Sequence, residues 1–435
     1  MDIKSKYFLE KNFIVYLIGK IISSIFVFAS IPLFIKYFGI AEYGKFSLLY
    51  TTFLMFLAGA SGWIIQGILR FYSVESDKKE FLQETTNLTI KSSIITSIIL
   101  SIVFLINGAS LITIIITIPA FLAACLYSVT TAKLQATFES KKVIFSDIFR
   151  LIIYFLVPLL FYLLNVAISP EKIFFIGVFL SYLGALLMVN NWKIPVYRNQ
   201  GRLLKWSNKI WAYGVPLSIW MFLSPTMNSS DRYIISTTLG VVALGEYSAV
   251  FDIVFKIFSQ LSSPYNNIVQ PLLINSYNNK SFLEFQKIMI KSAIYLLMMF
   301  LGVFFIIVYF RDFIITDYLN LNTKSSPQLK SIIIPLLISS FFWQIAVLIQ
   351  KILEIQNKTK IMAIYMIVSV LIGLGLSIYF VPKFGYIASA YTMLFSSVLY
   401  ILLIVTHILT NNFNKIILNK KRFDRFYSSR IQSRN

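Results

Sequence analysis

Ionisable residues are few in this chain, and several stand inside apolar sequence. Asp231, Arg232, Asp252 and Lys256 all fall in NSSDRYIISTTLGVVALGEYSAVFDIVFK (228–256), and Lys20 interrupts the apolar stretch FIVYLIGKIISSIFVF. A charge at mid-membrane costs roughly 2.5–3.5 kcal/mol on insertion scales, so each asks for a partner or a wet cavity. Asp252 and Lys256 stand four apart, which puts them on one helical face. They either neutralise each other or present charge to a ligand. Lys20 has no acid three or four residues away; it either meets an anion or carries its amine to the headgroups on its four-carbon stem. Asp231 and Arg232 are adjacent and point about 100° apart on a helix, so they need not pair with each other. One of them is a candidate to close a gate against a charge on the first or second helix, such as Glu42. The alternative is an interfacial anchor shared with Tyr233. Arg70 and Arg150 complete the candidate cationic set. Both stand at helix ends where basic residues also serve topology, and Asp147, three residues before Arg150, offers it a local partner.

Other chemistry has little material. The single cysteine, Cys125, allows no intrachain disulfide and no cysteine metal site, and the single histidine, His407, sits near the end of the last apolar segment. We expect no catalytic residue, no metal and no cofactor. The net charge of +21 could point to nucleic acid. Here, though, the Lys and Arg are scattered among loops, as membrane topology requires, so we expect no nucleic-acid partner.

Those residues need elements to hold them. The chain has 435 residues, 57% hydrophobic and 13% charged, against about a quarter charged in an ordinary soluble domain. The apolar blocks run to about 20 residues, enough to cross a bilayer as helices. Runs such as IIITIPAFLAACLY lack the alternation of barrel strands. The sequence predicts an all-α polytopic membrane protein of about twelve transmembrane helices. They span roughly Phe13–Phe38, Phe46–Leu69, Ile90–Ile106, Leu111–Thr131, Ile144–Leu164, Ile173–Val189, Trp211–Tyr233, Ala243–Ser263, Ile288–Phe310, Ile332–Leu353, Ile361–Val381 and Tyr386–Leu409. Arg70–Glu84 reads as interfacial, the stretch with Pro264 and Pro271 as a loop, and Arg311–Lys330 as the longest outer loop. Prolines 32, 216 and 225 interrupt the first and seventh helices and suit bending. The basic start runs straight into the first apolar segment with no small-residue cleavage site, so that helix is expected to be retained.

Two weakly similar halves are visible. Phe38–Ser47 reads FGIAEYGKFS and Leu239–Ser248 reads LGVVALGEYS, matching Gly39 with Gly240, Gly44 with Gly245 and Ser47 with Ser248. The basic connector NWKIPVYRNQGRLLKWSNK separates them. We therefore divide the chain into an N-terminal lobe (1–192, helices 1–6), a basic connector (193–209), a C-terminal lobe (210–410, helices 7–12) and a basic tail (411–435). An even helix count puts both termini on one side, and the positive-inside rule makes that side cytoplasmic.

The phrase DRYIISTTLGVVALGEYSAVFDI, together with YFGIAEYGKFSLLY and KFGYIASAYTMLFSS, resembles the polysaccharide-transporter branch of the multidrug/oligosaccharidyl-lipid/polysaccharide (MOP) superfamily, its O-antigen flippases (Wzx type) in particular. The resemblance implies two six-helix lobes around a central cavity. It implies alternating access that moves an undecaprenyl-diphosphate-linked oligosaccharide, an O-antigen or related repeat unit, from the cytoplasmic to the periplasmic face of a bacterial inner membrane. In that frame Lys20, Lys256, Arg70 and Arg150 would meet the diphosphate, lysine suiting phosphate as a point charge. Asp231, Arg232, Asp252 and Glu42 would serve gating or coupling to a proton or sodium ion. Membrane lipids and a polysaccharide polymerase are the other partners considered. A multidrug cation antiporter of the same superfamily is the first alternative. A membrane polymerase or ligase is the second, and the absence of a long external loop with catalytic residues weighs against it.

Overall fold

The structure is a computed structural model, and it describes residues 19, 22, 24–72, 77–137, 139–190, 207–278, 281–321, 326–356 and 358–410. The described residues form helices and no strand: α1 (Ser24–Phe38), α2 (Ile40–Phe71), α3 (Lys78–Ile106), α4 (Leu111–Ala136), α5 (Ser140–Leu163), α6 (Pro170–Val189), α7 (Ser207–Met227), α8 (Asp231–Thr238), α9 (Val241–Asn278), α10 (Phe282–Tyr309), α11 (Arg311–Phe313), α12 (Ser326–Ile355), α13 (Thr359–Phe384) and α14 (Tyr386–Thr410). Among the described residues nine helices are long and apolar enough to cross a membrane: α2 to α6, α10 and α12 to α14. With α1, α7 and α9 they fill the twelve expected places. No backbone polar group can turn to water inside a bilayer, so helices are the structure such apolar blocks must adopt.

The helices pack as two sets. In the first, α6 lies against α4 and α5, and α4 against α2 and α3. Phe34 of α1 joins it edge-on to Tyr154 of α5 and close to Phe174 of α6. In the second, α12 and α13 flank α14, and α9 packs on α10 and α12. The sets meet where α2 crosses α7 and α9. The lobe boundaries expected at 192/193 and most of the connector lie outside the described residues, as does the basic tail.

The repeated glycines make this meeting possible. Gly39 and Gly240 both adopt left-handed φ, +88° and +89°, immediately before α2 and α9 begin. That conformation strains any residue with a Cβ. One turn on, Gly44 and Gly245 face each other across the interface. A Cβ on Gly44 would lie 2.7 Å from the Gly245 nitrogen, and one on Gly245 would lie 2.1 Å from the Ile40 carbonyl oxygen. The sequence echo is thus a pair of equivalent helix starts crossing backbone to backbone, the use small residues find in membrane interfaces.

Several expected boundaries move. The seventh segment is not one helix: it breaks at 228–230, between α7 and α8. The eighth does not end near Ser263; α9 continues through Pro264 and Pro271 to Asn278, because membrane helices tolerate proline where neighbours re-satisfy the freed carbonyls. Much of the interfacial Arg70–Glu84 stretch is helical, since Asp77 caps α3 by accepting the Glu80 N–H at 3.0 Å. The outer loop is partly ordered structure: α11 leads into a π turn at Ile314–Tyr318, with Ile315, Leu319 and Leu321 buried in the main core. Lys330 Nζ lies 2.6 Å from Asp312 Oδ1 and holds that exposed carboxyl below its ordinary range.

The crossing gives a direct test. Gly44→Ala and Gly245→Ala should each destabilise the purified protein by about 1–3 kcal/mol, the usual size of overpacking. Gly302→Ala, whose Cβ would meet open space, should be neutral or stabilising by up to about 1 kcal/mol. Thermal unfolding in detergent measures all three.

Candidate functional site

The crossing brings the scarce charges together. Arg232, near the start of α8, is 1% exposed. Its Nη2 donates to Asp252 Oδ1 on α9 at 2.6 Å. Its Nη1 donates across the interface to the Thr51 hydroxyl of α2 at 2.9 Å and to the Ser47 hydroxyl. The guanidinium also sits 4.9 Å from the ring centre of Phe251. Asp252 accepts from two further donors: the Tyr43 hydroxyl of α2 at 2.9 Å and Lys256 Nζ at 2.9 Å. The offset that takes Gly44 to Gly245 also takes Thr51 to Asp252, so Arg232 bridges equivalent positions on the two crossing helices. Asp252 lies eleven residues into α9, about 16 Å along it at 1.5 Å per residue.

Asp231 points elsewhere. Its Oδ2 accepts from the Tyr247 hydroxyl, while its Oδ1 is buried without a partner. That oxygen borders a small cavity, about the size of one water molecule, whose wall includes Ser230, Ser377, Ser389, Thr392 and Ser396. The Ser389 hydroxyl is likewise buried without a partner. A carboxylate oxygen and a hydroxyl oxygen, both unsatisfied, suit a water, a proton or a small monovalent cation. Among the described residues no cluster of three or more His, Cys, Asp or Glu is arranged for a metal ion.

The first set of helices carries its own cation. Arg150 on α5 pairs with Asp147 at 3.0 Å and lies 4.9 Å over the Tyr182 ring. Tyr50 and Tyr154 stack nearby, their centroids 5.9 Å apart. Of the two cations Lys256 and Arg150, Lys256 is the more accessible, its side chain 34% exposed against 14% for Arg150.

The expected pairs Asp252–Lys256 and Asp147–Arg150 are present. Asp231 and Arg232 take separate partners, as their angular spacing required. Glu42, the expected partner, does not meet Asp231 or Arg232 here: it pairs with Lys45 at 2.8 Å in the first turn of α2. The hydroxyls that meet Arg232 come one and two turns later. Arg70 lies in the last turn of α2, at the far end of that helix from the cluster. Lys20 lies outside the described residues. Lys256 stands fifteen residues into a helix longer than expected, which places it about 22 Å from its start.

Sequence reasoning missed the neutral partners Tyr43, Ser47, Thr51 and Tyr247. It also missed a buried polar chain in the second set. There, Trp220 donates to Tyr400, Tyr400 to Gln350, and Gln350 to Glu354; Gln270 also reaches Glu354 and accepts from Lys351. The signal available was Lys351 and Glu354 near the end of an apolar segment, which resembles ordinary interfacial charge. A second contact between the sets, Glu84 Oε1 accepting the Ser207 N–H at 2.7 Å, gave no sequence signal.

Comparison with known proteins places this geometry. Residues 216–379 match the MatE family model. The MatE match covers α8 to α12 and most of α7 and α13. Solved structures with the same fold include an outward-facing multidrug resistance MATE transporter of the MOP superfamily (TM-score 0.66, 13% identity, 92% of this chain and 94% of that one). They include the inward-facing form of such a transporter (0.64, 13%, 88% and 98%). They also include the lipid II flippase MurJ in an inward closed conformation (0.62, 17%, 91% and 87%). No curated protein sequence matches. The chain has the fold of the MOP-superfamily transporters, two helical lobes and about twelve transmembrane helices.

Removing one member of a buried pair strands the other. Arg232→Met should cost about 3–5 kcal/mol, and Arg232→Met with Asp252→Leu distinctly less. Thermal unfolding of the three proteins checks this; a double variant worse than the single would contradict the pairing.

Proposed function

We propose that this chain is a secondary transporter that carries an anionic amphiphile across a membrane by alternating access. The carrying observation is the accessible Lys256 amine: its acid partner, Asp252, is already held by Arg232 and Tyr43. Arg150 contributes a second cation from the other lobe. A lipid diphosphate fits two such charges, and the half-buried Tyr50 and Tyr154 stand where attached sugars would pass. On this reading the cargo is an undecaprenyl-diphosphate-linked oligosaccharide and the membrane a bacterial inner membrane with both termini cytoplasmic. A polysaccharide polymerase would take the product. Asp231 and its cavity would couple transport to a proton or sodium ion. The chain then acts as a carrier and not as an enzyme.

The second reading is a multidrug exporter, and the comparisons taken alone favour it. The matched family is MatE, and most of the matched structures named above are multidrug transporters. Such a cargo is often cationic and wants an accessible acid. Asp147 and the buried Asp252 are the acid candidates near the interface, and each is occupied by an arginine.

Proteoliposomes carrying the purified chain separate the two. The first reading expects movement of a polyprenyl-diphosphate-linked saccharide. Lys256→Ala should reduce it roughly 10- to 100-fold, the worth of one charge-assisted hydrogen bond of about 1.5–3 kcal/mol. Efflux of cationic dyes with no movement of the lipid would replace it by the second.

A further inference from the structure

Pro32 lies inside α1, and proline has no N–H to give the carbonyl four residues earlier. That carbonyl belongs to Phe28. The Tyr318 hydroxyl donates to it at 2.9 Å, across 290 positions of sequence. Tyr318 closes the π turn between α10 and α12, where the Leu319 and Leu321 N–H groups bond back to Ile314 and Ile315. The segment is not a free loop. Ile315 is fully buried, Leu319 is 1% exposed and Leu321 6%. Phe28 and Tyr318 pack against the same core. On its other flank Asp312 is tied to Lys330 of α12. A piece of the second lobe therefore reaches over the first helix of the first lobe and supplies the donor that Pro32 withholds.

The geometry points to Tyr318 as a positioning residue: segment 311–321 is a strap from the second lobe that fastens α1 at its proline break. A helix interrupted by proline is softest where its hydrogen bond is missing. Tying that point to the other lobe couples the movement of α1 to the movement of the lobes. While the bond holds, α1 stays tied at Phe28 to the second lobe, and beyond Pro32 it packs on α5 and α6 through Phe34 and Phe38. When the lobes part on the strap's side, the Phe28 carbonyl is released and α1 is free to bend. The contact needs no charge, so it opens at the cost of one neutral hydrogen bond, which suits a step repeated in every transport cycle. The inference concerns the movement of α1 and does not depend on which cargo the transporter carries.

Backbone hydrogen exchange on the purified full-length protein tests this, because the strap and α1 report separately. Tyr318→Phe removes one oxygen and keeps the buried ring. It should raise exchange at residues 33–38 of α1 about fivefold, the fold-change of one ordinary hydrogen bond. Pro32→Ala restores an N–H that can bond Phe28 within the helix. In that background Tyr318→Phe should no longer change exchange in α1, and only the strap should loosen. A strap that serves its own packing alone would loosen at 311–321 in both backgrounds and leave α1 untouched. That result overturns the inference, as does an equal rise in α1 exchange with and without Pro32.

Discussion

Everything in this molecule depends on how closely α2 and α9 approach each other. Each begins after a glycine in left-handed conformation, and each offers a second glycine at the crossing. A methyl group on either of those would enter the other helix's backbone. The approach is close enough for one guanidinium, that of Arg232, to reach Thr51 and Ser47 on one helix and Asp252 on the other. A wider crossing would leave Arg232 and Asp252 as a pair within the second lobe, without their hydroxyl partners on α2.

That tie explains how four ionisable groups persist within apolar helices. Arg232 and Asp252 neutralise each other and are wrapped in hydroxyls from α2. Lys256 leans on the same carboxylate yet keeps about a third of its side chain exposed. Asp231 is separated from them by its own partner, Tyr247, and faces a small polar cavity. Burial of this kind is weak ground for stability, because desolvation offsets much of the attraction. It is better ground for registry: the bonds from Arg232 and Asp252 to the hydroxyls of α2 form only when the lobes sit in this arrangement. An interface that must open needs such a property, a definite closed state held by contacts that are individually modest.

The legible part of the site follows a pattern. Asp252 with Lys256 and Asp147 with Arg150 were readable because helix geometry alone brings residues three or four apart onto one face. The glycine echo was readable because a left-handed start and a close crossing both demand glycine. Glu42 was a mistaken partner for a related reason. Sequence draws attention to charges, and the nearest charge on the second helix was chosen, when the lobe crossing presents Ser47 and Thr51 to Arg232. Hydroxyl residues are common in apolar helices and usually bond their own backbone, as Thr52 does to Leu48, so nothing in their position marks Ser47 and Thr51 as different. The extent of α9 was misjudged because Pro264 and Pro271 read as loop residues, and a packed membrane helix accommodates both.

By itself, the sequence determined the class of the molecule: apolar blocks of bilayer length, with no water to satisfy an open backbone, admit helices and little else. It also determined that two similar halves exist and which local pairs their charges form, since these follow from residue spacing along one helix. Tertiary structure alone decided which hydroxyls of one half serve the charges of the other, and that Tyr318 supplies the bond Pro32 omits. Those contacts join residues some 180 to 290 positions apart. Their partners are fixed by the angle and closeness of helix packing, quantities that no local spacing encodes.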